Sequence, residues 1–444
     1  MKTPDNTQFR NAALISARLS ERGHTAYFAG GCVRDMIMQR TPKDIDIVTD
    51  ATPDQISAIF PDSDLTGKAF GVVRVRMTDD EFEIATFRAD HDHKDGRHPG
   101  SVSFTDEKTD SSRRDFTINS LLYDPASGRV IDHQDGSKDI TLQLLRFIGD
   151  PEQRISEDHL RMLRAIRFSG TLGFRIEDIS FAAIIKNAGL IEKISAERVR
   201  DELIRMLTES PKPGKALETL DASGLLAYIL PEVSALKGVA HSPEKHPEGD
   251  VFTHTCRMLD HAGASGDHCL AFSALLHDIG KKDTFTLLEG KISFPCHEER
   301  GADIAENILH RLRFPKKEIQ FIRQCIERHG VIHKPEALNL AELRKIAASP
   351  TFPTELKLHK LDVITAGGSD KAGKFYDNFL KSYIDREILP QPLVSGKDLL
   401  AMSMKQGPDF GRILAEAYDL QLNETLKSRD AIIDWLAKRS KQDL

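Results

Sequence analysis

The stretch Ala26–Val48, AYFAGGCVRDMIMQRTPKDIDIV, decides the fold. Ala26 to Ala29 reads as a short strand, Gly30-Gly31 as a turn, Val33 onward as a helix and Ile45 to Val48 as a second strand. Residues two apart on a strand face the same way, so Asp44 and Asp46 converge on one side with Ile45 buried behind them. Such a carboxylate pair suits Mg²⁺, whose hard oxygen ligands are completed by substrate phosphates in phosphoryl and nucleotidyl transfer. The two glycines let backbone approach a ligand ahead of a helix N-terminus that favours phosphate, and Arg34 adds a cation. Upstream, Ala12 to Leu19 reads as an apolar helix. Downstream, Val72 to Met77 and Phe82 to Phe87 read as a hairpin turning at Thr78-Asp79-Asp80. Glu83, alternating with Phe82 and Ile84, supplies a third carboxylate on the same side.

Beyond residue 145 the class changes. From Glu157 the apolar spacing is helical almost to the end, with Leu160, Leu163 and Ile166 in one helix and Leu203, Ile204 and Leu207 in another. The expected class is therefore α+β: a mixed α/β head over 1–145, then an all-α neck over 146–240, a histidine-rich helical domain over 241–375 and a helical tail over 376–444. The breaks behind this division are Ser210-Pro211-Lys212-Pro213-Gly214, the stretch Ala240 to Asp250 (AHSPEKHPEGD), and Pro390, Pro392 and Pro408 in the tail.

Composition narrows the class of function. The 444 residues are 40% hydrophobic and 29% charged, which are ordinary globular values. No run is long and apolar enough for a membrane span, and the N-terminus lacks the pattern of a signal peptide, so a cytoplasmic protein with no membrane partner is expected. Five cysteines without a CxxC pair suit a reducing compartment and are expected to be small buried apolar residues. A formal charge of −7 excludes a global basic field, so an RNA partner must meet local patches. Arg311, Arg313, Lys316 and Lys317, and the tail stretches Ser395–Leu400 and Gly407–Gly411, are the candidates for such patches.

GGCVRD and KDIDIV, followed in order by FEIATFR, DGRHP, RRDFTINSLLYDP and EDHLRMLRAIRF, resemble the class II tRNA nucleotidyltransferases (CCA-adding enzymes) and the bacterial poly(A) polymerases over residues 26–205. The resemblance implies a polymerase-beta-like head that adds C and A to a tRNA 3′ end from CTP and ATP. It implies that Asp44 and Asp46 bind two Mg²⁺ ions with Glu83 in support, and that Gly30, Gly31 and Arg34 face the triphosphate. Arg113, Arg114, Asp115 and Asn119 are implied to contact ribose and phosphates, with Asp115 accepting from a ribose hydroxyl. Asn119-Ser120 departs from the commoner Asn-Ala. Ser195-Ala196-Glu197-Arg198 resembles the family's helix-capping motif. The segment Arg88 to Arg114, with few apolar anchors, is expected to be a mobile loop, and in the family such a loop supports the switch from C to A.

Base choice follows from Glu157-Asp158-His159-Leu160-Arg161. On a helix, i and i+3 share a face, so Asp158 and Arg161 present an acceptor beside donors to a flat base edge. Cytosine and adenine each pair an exocyclic amine with a ring-nitrogen acceptor. Uracil and guanine reverse that pattern, and each mismatch leaves a buried polar group unsatisfied at about 1–3 kcal/mol. Arg164 is expected to brace the pair.

A second constellation lies further on. His254, Ala274-Leu275-Leu276-His277-Asp278-Ile279-Gly280-Lys281 and Asp362 resemble the HD phosphohydrolases. The resemblance implies one metal on His254, His277, Asp278 and Asp362, and places His297 and His329 as ligands of a second. Imidazoles with carboxylates suit Mn²⁺, Ni²⁺ or Co²⁺. His241, His246, His261, His268, His310 and His333 read as ordinary surface or core residues. Three alternatives stay open: a poly(A) polymerase or A-adding enzyme, a hydrolase acting through the HD site, and an RNA-binding scaffold. Oligomeric state is not legible.

Overall fold

A computed structural model describes residues 6–78, 80–91, 101–241, 249–402, 404, 407 and 409–440. The DGRHP stretch, Asp79, His246 and Pro408 lie outside the described residues. The chain divides into two compact units, one of residues 1–234 with 263–266, the other of 235–262 with 267–444.

The first unit opens with α1 (Thr7–Glu21), capped by the Asn6 side chain accepting from the Phe9 N–H. A six-stranded sheet follows, built from β1 (Ala26–Ala29), β2 (Asp46–Thr49), β3 (Val72–Met77), β4 (Asp80–Thr86), β7 (Leu122–Asp124) and β8 (Arg129–Ile131) in the order β3-β4-β2-β1-β7-β8. Between β1 and β2 lies α2 (Gly31–Ile37), and α3 (Pro53–Ile59) starts from a Thr52/Gln55 capping box. Ala12, Ile15 and Leu19 of α1 are fully buried, as are Phe28 of β1 and Ile47 of β2. A separate cluster gathers Ala29, Val48, Phe87 and Leu122.

The register of this sheet positions the chemistry. Antiparallel β1–β2 pairing sets Ala29 opposite Asp46, beside the Gly30 turn. Parallel β2–β4 pairing sets Ile47 opposite Ile84, which brings Glu83 level with Asp46. Antiparallel β1–β7 pairing sets Ala29 opposite Leu122, and the Gly30 N–H donates to the Leu121 carbonyl at 3.0 Å.

Two expectations change here. The second strand begins at Asp46, so Asp44 and Ile45 precede it, although Ile45 is still buried between two exposed aspartates. The segment after Phe87 is not a plain loop: β5 (Arg88–His91) pairs with β6 (Ser101–Phe104), and α4 (Glu107–Ser112) is capped by Asp106 accepting from the Thr109 N–H. Backbone pairing and a cap hold the described parts of this segment, 88–91 and 101–112, where apolar anchors are few.

The helical remainder of the unit comprises α5 (Gly136–Thr141), α6 (Pro151–Glu157), α7 (Leu160–Leu172), α8 (Asp178–Asn187), α9 (Ala196–Glu209), α10 (Pro213–Ala222), α11 (Leu225–Ile229) and α12 (Pro231–Ser234). Helices α7 and α9 pack on one another, and Leu163 and Ile166 of the first and Leu203 and Met206 of the second are fully buried.

The second unit contains α13 (Val251–Ala262), α14 (His268–Leu276), α15 (Lys281–Thr284), α16 (His297–Arg311), α17 (Lys316–Ile332), α18 (Leu340–Ala347), α19 (Phe352–Thr365) and α20 (Lys371–Lys381). A small ribbon, Thr286–Leu288 with Lys291–Ser293, interrupts the helical pattern. The tail helices α21 (Gly396–Ala401), α22 (Asp409–Leu422) and α23 (Arg429–Ser440) form their own core around Leu399, Ile413, Ala417, Ile432 and Leu436. Of the cysteines, Cys32, Cys256 and Cys325 are buried as expected, whereas Cys269 is half-buried and Cys296, in a left-handed turn (φ 56°) ahead of α16, is exposed.

Candidate functional site

In the first unit a cavity of about 540 Å³ is lined by Gly30, Gly31, Arg34, Asp44, Asp46, Arg113, Arg114, Asp115, Asn119, Asp158, Arg161 and Arg164. Arg167, Phe168 and Arg205, to which the sequence reading gave no role, complete the lining. Seven arginines face four aspartates, so the cavity is cationic within a chain of net charge −7.

Gly30 has φ 74°, which L side chains rarely adopt, and a Cβ there would come within 3.1 Å of Arg114 Nη1. Loss of solvent around the Asp46 carboxyl, added to by the neighbouring charges of Asp44 and Glu83, pushes it up to about 6. That negative charge in excess is a donor set that a divalent cation would relieve, so Asp44 and Asp46 fit the metal role. Glu83 points elsewhere: its Oε1 accepts from Arg74 Nε at 3.1 Å, and it does not line the cavity.

The arginines are held in place before any ligand arrives. Asp110, 1% exposed, accepts from Arg113 Nη2 at 2.7 Å on Oδ1 and from Arg114 Nη2 at 3.1 Å on Oδ2. Arg34 Nη1 donates to Asn119 Oδ1 at 2.7 Å, and Asn119 Nδ2 donates to Asp115 Oδ1 at 3.1 Å. Asp115 Oδ2 accepts from Arg164 at 2.6 Å, and Arg167 pairs with buried Glu202 at 2.5 Å. The guanidinium groups of Arg34, Arg164 and Arg167 lie 5.4, 5.3 and 3.9 Å from the Phe168 ring centroid. Ser120 is accommodated because its buried hydroxyl donates to the Thr117 carbonyl at 2.7 Å.

Asp158 and Arg161 both line the cavity, but not as an i,i+3 pair on one helix. Asp158 is extended (φ −146°, ψ 106°) at the junction of α6 and α7. There its Oδ1 accepts from the Leu160 N–H at 3.0 Å, and its Oδ2 accepts from Arg198 at 2.8 Å. Arg161 Nη1 donates to Glu157 at 2.6 Å and Nη2 to the Arg113 carbonyl at 3.0 Å. Arg164 braces Asp115 rather than this pair. The signal for the extra lining residues was present in the sequence, since Arg161, Arg164, Arg167 and Phe168 recur at one-face helical spacing.

The second unit brings its histidines into two groups, His254, His277 and Asp362, and Asp278, His297 and His329, each with ligand atoms within 4.8 Å of one another. Asp278 thus groups with the second set rather than the first. Its carboxylate touches both, with Oδ2 3.2 Å from His277 and Oδ1 3.6 Å from His297. Gly280 makes this turn possible, because a Cβ there would lie 2.2 Å from the His297 carbonyl oxygen.

The donor chemistry fits a metal. Nδ1 of His277, His297 and His329 lies 2.9, 3.0 and 2.6 Å from the backbone carbonyls of Ala274, Phe294 and Ile326. A carbonyl only accepts, so each Nδ1 carries the proton and each Nε2 lone pair is left for the site. Burial and the neighbouring His277 lower His329 to about 3, which keeps it neutral. The carboxyls of Asp278 and Asp362 are held well below the usual carboxylate range despite burial, Asp278 by the neighbouring His277 and Lys281, Asp362 by the neighbouring His254 and His333.

Two histidines read as ordinary belong to this cluster. Buried His241 Nε2 lies 3.9 Å from Asp278 Oδ2, and His333 Nε2 lies 3.1 Å from Asp362 Oδ2. No local pattern marks either one. Lys281, also without an assigned role, donates to Asp278 at 2.6 Å.

Comparison with known proteins gives three consecutive domain matches: a poly A polymerase head domain over residues 26–146, a probable RNA and SrmB-binding site of polymerase A over 173–237, and an HD domain over 251–358. A CCA-adding enzyme of Geobacillus sp. (strain WCH70) is 41% identical over 52% of this chain and 55% of its own length. The Bacillus subtilis (strain 168) CCA-adding enzyme is 42% identical over 48% and 53%. These matches span about half the length of the curated relatives. Among solved structures, the Bacillus stearothermophilus CCA-adding enzyme in complex with CTP is 27% identical over 99% of both chains, with a TM-score of 0.76. The Thermotoga maritima CCA-adding enzyme complexed with tRNA_CCA, 19% identical over 98% and 96% with a TM-score of 0.61, shares the fold.

Proposed function

Since the chain belongs to the family that CCA-adding enzymes and bacterial poly(A) polymerases share, we propose that it adds C and A to the 3′ end of tRNA, without a nucleic-acid template, from CTP and ATP. The observation that carries this reading is the single cavity that unites the Gly30-Gly31 turn, Asp44 and Asp46, the RRDFTIN residues, and Asp158 with Arg161. Asp44 and Asp46 would hold Mg²⁺, with Glu83 in support once it leaves Arg74. When bound, the ions supply charge stabilisation for nucleotidyl transfer. Arg34, Arg113 and Arg114 neutralise the triphosphate, Asp115 and Asn119 meet the ribose, and Asp158 and Arg161 read the base edge. We keep the division at 145, 240 and 375 as the domain boundaries of this reading. The cytoplasm is the proposed location; among the described residues no helix is long and apolar enough to cross a membrane.

The lone-pair orientation of His277, His297 and His329 favours a second reading for the other unit, a phosphohydrolase site. His254, His277, Asp278, His297, His329 and Asp362 would hold Mn²⁺, Ni²⁺ or Co²⁺, which supply Lewis-acid chemistry.

The test is to incubate the purified protein with tRNA ending before CCA, with CTP, with ATP and with both, and to sequence the product ends. CC from CTP alone and CCA from both are expected, and Asp44→Ala is expected to abolish addition. A single A added only to CC-ended tRNA would make the protein an A-adding enzyme, and A tracts on any RNA a poly(A) polymerase.

A further inference from the structure

Helix α17 and the residue that ends it carry two histidines four residues apart, His329 and His333, which therefore share a face. The first turns its Nε2 toward Asp278 Oδ1 at 3.9 Å, and the second turns its Nε2 toward Asp362 Oδ2 at 3.1 Å. The other oxygen of Asp362, Oδ1, lies 3.1 Å from His254 Nε2, within the group that also contains His277. The two carboxylate oxygens of Asp362 are thus divided, one facing the candidate ligands and one facing His333.

We infer that His333 is a positioning residue: its Nε2–H holds the outer oxygen of Asp362 so that the inner oxygen is presented to a metal. The inference rests on the metal-site reading of the HD cluster. His254 Nε2 lies as close to the inner oxygen but stands with His277 and Asp362 in one ligand group, whereas His333 stands outside that group, so its nitrogen facing the outer oxygen is assigned a proton and acts as a donor rather than a ligand. His333 is itself held. Its ring meets that of His359 edge to face at 4.5 Å between centroids, and His359 is 3% exposed. His359 Nε2 lies 3.3 Å from Asp370 Oδ1, the oxygen that caps α20 by accepting from the Gly373 N–H at 2.8 Å. A continuous line of contacts therefore runs from a helix cap to a candidate ligand. Asp362 freed from His333 would turn about its own side-chain bonds and lose orientation on each binding event. Loss of such an outer hydrogen bond costs a metal site about 10- to 100-fold in affinity.

The experiment titrates the full-length, chelator-treated protein with Co²⁺, following heat and the cobalt absorption bands. Three variants separate donor from packing: His333→Ala removes both, His333→Phe keeps a ring against His359 without a donor, and His333→Gln keeps a donor. Affinity about 10- to 100-fold weaker, with altered cobalt bands, is expected for the Ala and Phe variants. The Gln variant is expected to stay near wild type, and the metal-free Tm of the Phe and Gln variants to be unchanged. If the Phe variant binds as wild type does, or the Gln variant falls as far as the Phe variant, the inference is overturned. Wild-type protein that binds no Co²⁺ overturns the metal-site reading, and the inference with it.

Discussion

At the scale of single residues, Asp110 shows how a side chain that touches no ligand can set a site. Burial alone would raise its carboxyl, but Arg114 and Arg113 outweigh burial and hold it below the ordinary range. A folded pKa below the unfolded value of about 3.9 means that its contribution is present above that pH and is lost as pH falls through the folded value. Asp110→Asn is expected to cost about 1–3 kcal/mol at neutral pH and to raise the KM for nucleotide. In urea melts the gap between variant and wild type should close below about pH 4. Asp158→Ala is expected to lose discrimination against UTP and GTP by about 10- to 100-fold, measured as kcat/KM ratios. If the variant only slows, with unchanged preference, Asp158 is structural and the base is read elsewhere. Most of the cavity lining was legible because its residues fall in short motifs of glycine, carboxylate and guanidinium. Glu202, His241 and His333 were not, since they act through tertiary contacts that no local spacing records, whereas Asp110 meets Arg113 and Arg114 at i+3 and i+4, a spacing that is written in the sequence.

At the scale of elements, the sheet register does what the motifs alone cannot. It sets Asp46 beside Gly30 and brings Asn119 to the same edge. Gly30→Ala is expected to cost about 1–2 kcal/mol through its left-handed backbone. The same change should displace Arg114 and weaken nucleotide binding more than it lowers Tm, a difference that calorimetry and nucleotide titration would resolve. The strands and helices of the head were readable from alternation and helical spacing, because one-sided burial writes itself into the sequence. The exceptions have particular causes. The Asp158 junction reads as helix because nothing in EDHLR signals that α7 begins at Leu160, and the β5–β6 pair lacks the apolar alternation that marks a strand.

At the scale of the whole molecule, each compact unit carries its own candidate site. CTP with Mg²⁺ at about 100 times its Kd is expected to raise the melting transition of the first unit by roughly 5–10 °C, and Ni²⁺ that of the second. Differential scanning calorimetry with each ligand alone checks this, and a shift of both transitions by either ligand would contradict it. Charge is distributed with equal purpose. The chain is acidic overall, yet seven arginines line one cavity against four aspartates. Six of those guanidinium groups are already held, Arg34 on Asn119, Arg113 and Arg114 on Asp110, Arg161 on Glu157, Arg164 on Asp115 and Arg167 on Glu202, so their field is present before the nucleotide enters and persists after the bond is made. In the proposed reaction the departing pyrophosphate is a compact polyanion that this field goes on attracting after the bond is made. Release is then expected to compete with reversal, so added pyrophosphate should slow net addition and strip the last nucleotide from the RNA, an exchange that labelled pyrophosphate would measure.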